Sequence, residues 1–153
     1  MSTAASPAGV PPAYGGGRLL LITIALILGP LVQVFDTATV SIALRHMQGE
    51  LSATQDQIAW VITSYLITLT VFTPVWGVLG GMFGRKRLIL ICIAGFTSSA
   101  MLAGHSMSLS EILVWRAVQG FFGSALLPLG MSSLLTIYPR EKLGIAMAWW
   151  GVG

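Results

Sequence analysis

Runs of about twenty apolar residues, parted by short polar breaks, recur along this chain, and they restrict its fold more than any motif does. A hydrocarbon layer about 30 Å thick is crossed by roughly 20 helical residues, because each residue rises about 1.5 Å. The runs lie at about 19 to 44, 58 to 80, 88 to 104 and 111 to 136, and a fifth helix starts near Leu143 and is cut off at Gly153. The pattern predicts an all-α membrane protein in which residues 18–153 form the N-terminal part of a larger bundle. Residues 1–17, rich in Ala, Pro, Gly and Ser and without apolar period, are expected to be a disordered tail. The first run follows Arg18 but is not closed by a small-x-small cleavage site, so it reads as an uncleaved span.

Composition removes the competing classes. Only 8% of the residues are charged while 55% are hydrophobic, against about 25% charged in a soluble domain, so this surface is suited to lipid. The net charge of +3 comes from bases at helix ends and not from a stripe interleaved with aromatics, which speaks against nucleic acid. Cys92 is the single cysteine, so no intramolecular disulfide or cysteine-based metal site is expected, and it reads as a small packing residue. Acidic and His residues are too sparse for a metal cluster or a hydrolase triad, and no phosphate loop is present. No catalytic residue, metal or cofactor is therefore expected.

Short cytoplasmic loops accumulate Lys and Arg. Arg18, Arg85, Lys86, Arg87, Arg140 and Lys142 fall on one side and Arg45 on the other, which predicts a cytoplasmic N-terminus. The segment from Arg45 to Gln57 then faces the exterior, with Ser52 placed to cap the second helix and Asp56 in its first turn. Trp60, Trp76, Trp115, Trp149 and Trp150 lie near predicted helix ends, where indoles favour the headgroup layer. His46 and His105 read as solvated loop residues, and Glu111 as a complement to the fourth helix dipole. Pro30, Pro74 and Pro128 interrupt three spans and permit bends.

Two ionisable groups fall inside spans, where charge is costly and usually faces a polar interior. Asp36 lies about 25 Å from the cytoplasmic end of the first span, and Arg116 about 9 Å below the outer end of the fourth. Both therefore sit in the outer half of the membrane, at similar depth. A carboxylate held there can exchange a proton against an Arg contact, or the two can form a permanent ion pair that fixes helix register. Spacing alone leaves both readings open.

The run Phe35 to Leu44 resembles the first-helix motif L-D-x-T-I-V-N-V-A-L-P of fourteen-span drug:proton antiporters, with Asp36 at the acidic position, Ser41 in place of Asn and Arg45 in place of the closing Pro. Trp60 to Tyr65 resembles the start of that family's second helix, W-V-x-T-x-Y. Gly77, Leu79, Gly84, Arg85 and Lys86 match the loop motif G-x-L-x-D-x-x-G-R-K of major facilitators, with Arg87 extending the basic triplet. Gly81 stands where that motif has Asp, so the acidic half of the implied gate latch is missing. Arg116, Gln119, Gly120 and Gly123, in LVWRAVQGFFGSALLPLG, resemble the fourth-helix motif that opens R-x-x-Q-G, whose Arg is implicated in proton transfer. Tyr138 to Lys142 resembles the turn before the fifth helix in the EmrB/QacA branch.

The resemblance covers about residues 19–153 and implies a major facilitator bundle in an inner membrane, exporting hydrophobic small molecules by alternating access in exchange for protons. Its driving force would be the proton gradient. Its partners would be lipid, the small-molecule substrate, the remaining transporter helices and a periplasmic adaptor protein. Asp36 and Arg116 would couple protons, and Gly77, Gly84, Arg85, Lys86 and Arg87 would form the gating loop. A metabolite or sugar importer of the same superfamily is the alternative, and a four-span membrane scaffold or enzyme is the alternative from another class.

Overall fold

The computed structural model describes residues 16–50, 54–138 and 143–152, leaving aside the side chains at 16, 44–50, 55, 146, 149 and 152. Among the described residues six helices follow one another: α1 (Gly16–Glu50), α2 (Gln55–Phe83), α3 (Arg85–His105), α4 (Leu109–Gly123), α5 (Leu126–Ile137) and α6 (Leu143–Val152). Among the described residues four stretches are long and apolar enough to span a membrane, namely Gly17–Ala43, Asp56–Phe83, Arg85–His105 and Leu109–Ile137.

Hydroxyl residues are numerous in these spans, and many of them bond to a carbonyl of their own helix. In α2, Thr63, Thr68, Thr70 and Thr73 donate to the carbonyls four residues back at 2.6–2.9 Å, so none of these hydroxyls carries an orphaned donor into the span.

α1 continues past the expected end near residue 44 to Glu50, so its 35 residues measure about 52 Å and outrun the hydrocarbon layer. The cap of α2 is Thr54, whose hydroxyl accepts from the Gln57 N–H while the Gln57 side chain accepts from the Thr54 N–H. Ser52, expected as that cap, lies outside the described residues, as do residues 1–15 of the expected tail and Arg140 and Lys142. Gly16 and Gly17 already belong to α1. The turn from α2 to α3 is a single residue, Gly84, with φ +86°, a left-handed conformation that glycine adopts without a Cβ clash.

The fourth span, expected over 111–136 with a bend permitted at Pro128, is two helices. Proline at 128 has no N–H for the Ser124 carbonyl four residues back, and its ring crowds that carbonyl. The chain tightens there, with Ala125 N–H donating to Phe122 O at 3.3 Å, before α5 resumes. This broken span is the centre of the bundle. Half of its most apolar window is buried (50%), against 17%, 17% and 22% in the first three spans. α4 packs on α2 and α3, and α5 on α1, α2 and α3.

Two apolar clusters form at the two ends of the bundle. Ile58, Val61 and Ile112 pack near the α3–α4 turn, and Trp76, Leu88, Cys92, Ala125, Leu126 and Leu129 pack near the α2–α3 turn. Cys92 is fully buried in the second cluster. Trp76 departs from the expected headgroup position. It is buried, and its indole N–H donates to Ser124 Oγ at 2.8 Å and Phe121 O at 3.2 Å, because the broken turn offers an acceptor that no continuous helix would.

Candidate functional site

Between the two clusters lies a polar layer. α1 carries Gln33, Asp36 and Thr37, α2 carries Tyr65, and α4 carries Arg116 and Gln119. Gly120 brings α4 onto α2: a Cβ there would stand 2.5 Å from Tyr65 O and 3.3 Å from Leu69 N, so only glycine lets the two backbones come this close. That approach sets Tyr65 beside the guanidinium one turn back on α4.

Arg116 Nη1 donates to Asp36 Oδ2 at 2.7 Å and to Gln119 Oε1 at 2.7 Å, and its guanidinium carbon stands 5.5 Å from the centre of the Tyr65 ring. The Arg116 side chain is 5% exposed and that of Asp36 19%, so the cation is enclosed while the carboxylate keeps an open side. An ion pair this dry is held mainly by directed hydrogen bonds, because both charges have lost most of their hydration. Tyr65 Oη and Gln119 Nε2 are buried and find no hydrogen-bond partner among the described residues. Two unused donors thus flank the ion pair.

A cavity of about 560 Å³ opens beside this layer, lined among others by Gln33, Thr37, Ser41, Tyr65, Leu127 and Trp150. It has the size of a drug-binding pocket, for which about 300–1,000 Å³ is usual. Its Thr37 immediately follows Asp36 in sequence, so the charged pair and the cavity share one turn of α1.

The residues expected from sequence fall into three groups. Asp36, Arg116 and Gln119 meet directly, and Gly120 and Gly123 close the packing around them, with a Cβ at 123 standing 3.2 Å from both Gln33 Nε2 and Phe96. The basic triplet sits apart, in the first turn of α3. Arg85 donates to the hydroxyl of Thr136 on α5, joining the α2–α3 turn to the end of the fourth span, whereas Lys86 and Arg87 are exposed. Three bases at a helix N-terminus oppose its dipole, so membrane sidedness explains them better than helix stability. Gly77 is exposed within α2, and neither it nor Gly81 would have a Cβ near another atom.

Gln33, Tyr65 and the Trp76–Ser124 bond had no role assigned by sequence reasoning. For Gln33 a signal existed, since residues 33, 36, 37 and 41 share one face of α1 at helical spacing.

The same end of the bundle carries a further tie. Tyr138, after α5, and Thr23, early in α1, share a hydrogen bond of 2.7 Å, and Thr23 also donates to Leu19 O at 2.9 Å. The start of α1, the α2–α3 turn and the end of α5 therefore lie together.

Comparison with known proteins adds lineage to this geometry. The family model described as Major Facilitator Superfamily matches residues 26–153. Over 141 residues the chain is 37% identical to "Multidrug export protein EmrB" of Haemophilus influenzae, covering 92% of this chain and 28% of that protein. It is 35% identical over 142 residues to "Probable multidrug resistance protein EmrY" of Escherichia coli K12, covering 93% of this chain and 28% of that protein. It is 33% identical over 147 residues to "Tetracenomycin C resistance and export protein" of Streptomyces glaucescens, covering 94% and 27%. The chain thus spans somewhat over a quarter of the length of these relatives. With four membrane-length helices, a charged pair within them and a family match over most of its residues, the chain belongs to the Major Facilitator Superfamily.

Proposed function

We propose that the full-length protein to which these helices belong exports hydrophobic small molecules across an inner membrane in exchange for protons. The observation that carries this reading is the Asp36–Arg116 ion pair at 2.7 Å, buried within membrane spans and placed beside a drug-sized cavity. The export direction is supported by the names of the relatives, which are multidrug export and resistance proteins.

The geometry suggests how a proton would act. With Asp36 ionised, attraction and the hydrogen bond hold α1 to α4. Protonation of the carboxylate removes the charge half of that contact, while Gln119 keeps hold of the guanidinium from within α4. The two helices are then tied less tightly, and the cavity beside Asp36 can change access. Return of the ionised state restores the tie. Since Asp36 is partly exposed and Arg116 is not, the carboxylate is the group that protons reach.

The N-terminus and the basic triplet are assigned to the cytoplasm, because the bundle end that gathers the α2–α3 turn also carries Arg85, Lys86 and Arg87. The Arg85–Thr136 bond is the basic half of a cytoplasmic latch whose acidic half is replaced at Gly81.

The test is efflux of a fluorescent lipophilic cation, ethidium, from cells making the full-length protein. Efflux should stop when a protonophore collapses the gradient and continue when ATP is depleted but a pH gradient is imposed. Efflux that survives the protonophore and fails on ATP depletion would overturn the proposal.

A further inference from the structure

The ion pair leaves one neighbouring group without work. Tyr65 is 3% exposed, and its Oη makes no hydrogen bond among the described residues. Gln33, Asp36 and Thr37 of α1 and Arg116 of α4 lie near enough to act on this hydroxyl, but none stands at bonding geometry. A buried hydroxyl with no partner is costly, so its retention points to another state of the protein in which it is paired.

The Asp36 carboxyl has two states with different needs. Ionised, it only accepts, and Arg116 Nη1 supplies the donor at 2.7 Å. Protonated, it carries an O–H that needs an acceptor. Arg116 offers none, and the one acceptor of the Gln119 side chain, Oε1, is already held by Arg116. Thr37 belongs to α1 itself and has given its hydrogen to Gln33 O at 3.0 Å, and pairing there would leave Tyr65 still orphaned. Tyr65 Oη has its lone pairs free.

We propose that Tyr65 receives Asp36 when the carboxyl is protonated, its O–H donating to Oη, so that protonation moves the attachment of α1 from Arg116 on α4 to Tyr65 on α2. The proton stays on Asp36, and Tyr65 positions the carboxyl without titrating. Other ionisable groups are remote. On α2 there is only Asp56, in the first turn, and on α4 only Glu111, which accepts from the Met107 N–H at the helix start. On α3 the bases occupy the first turn and His105 the last, while α5 and α6 carry none. Arg18, Arg45, His46 and Glu50 of α1 are all more than about two turns from Asp36.

The inference rests on the proton-coupling reading and deepens it by giving the protonated state its partner. N,N′-Dicyclohexylcarbodiimide modifies carboxyl groups in their protonated form. The pH at which half of Asp36 reacts, read by mass spectrometry on the full-length protein in detergent, therefore reports its protonation. Tyr65→Phe keeps the ring beside Arg116 and removes only the hydroxyl. It should weaken proton binding about three- to tenfold, the worth of one neutral hydrogen bond, and so lower the midpoint by about half a unit to one unit. A merely structural tyrosine would change the amount of folded protein and not the midpoint. A second measurement needs no Tyr65 variant: the infrared difference spectrum of the wild type between low and high pH should contain a tyrosine ring band that is lost in Asp36→Asn. A midpoint unmoved or raised by Tyr65→Phe, or a tyrosine band that is absent or survives in Asp36→Asn, overturns the inference and leaves Asp36 as the carrier. Reaction of wild-type Asp36 to the same extent at every pH overturns the carrier role itself and the inference with it.

Discussion

Arg116 engages three partners at once: the Asp36 carboxylate, the Gln119 amide oxygen and the Tyr65 ring. A planar guanidinium can do so because its donors are fixed in a fork and its face is free to stack, whereas a lysine offers a point charge. Arg116→Lys is therefore expected to reduce proton-driven export by at least tenfold with membrane abundance kept, measured by efflux alongside quantitative immunoblotting. A purely structural pair behaves differently. Removing one partner would then destabilise the protein by about 3–5 kcal/mol, and replacing both Asp36 and Arg116 by apolar residues would restore abundance and export together. Asp36 and Arg116 were legible in the sequence because a charge in an apolar run stands out and its depth follows from helical rise. Tyr65 matched a family motif without any hint of a role, since its importance comes from the backbone approach at Gly120, which no linear spacing displays.

At the scale of elements, the fourth span is where sequence and structure differ most. Pro128 announced a bend, but its consequence depends on Trp76, 48 residues from Ser124 in sequence, which closes the opened turn with its indole N–H. Phe121 packs against the Trp76 ring at 5.1 Å and against Phe72 at 4.8 Å, so the break is also wrapped in aromatic contacts. An indole close to a helix end reads as a headgroup anchor until a buried acceptor is known, which is why the sequence suggested the wrong environment. Trp76→Phe keeps much of the ring contact but removes the donor. It should destabilise the protein by about 1–2 kcal/mol, seen as a lower melting temperature in detergent, with the effect shared by Ser124→Ala and not added to it. Gly120→Leu should be more severe, since its side chain would have to displace the α2 backbone. The expected outcome is loss of folded protein by size-exclusion chromatography, while Gly77→Ala, in open space, leaves the profile unchanged. Helix starts were less legible than helix existence. Thr54 and Ser52 are both good capping residues, and the choice was made by the reciprocal Gln57 bond three residues on.

For the whole molecule, the helical membrane class was legible from run length alone, because lipid leaves a chain few ways to satisfy its backbone. Sidedness is proposed from charge, and it has a direct check in the full-length protein after Cys92→Ser. A cysteine at Ser106, in the α3–α4 turn, should react with an impermeant thiol reagent applied to intact cells, and one at Lys86 only after permeabilisation. The opposite pattern would invert the topology. The polar layer between two apolar clusters, with a carboxylate partly open and its Arg enclosed, is the architecture on which the coupling account stands. Its central claim is that substrate and proton move through one cycle in which Asp36 carries the proton. The most direct measurement is substrate-driven proton movement in proteoliposomes of the full-length protein, followed with a pH-sensitive dye. Adding ethidium to the wild type should produce a proton flux opposite to the ethidium flux, and Asp36→Asn protein, reconstituted in equal amount, should produce none. Normal proton flux from the Asp36→Asn protein would contradict the account.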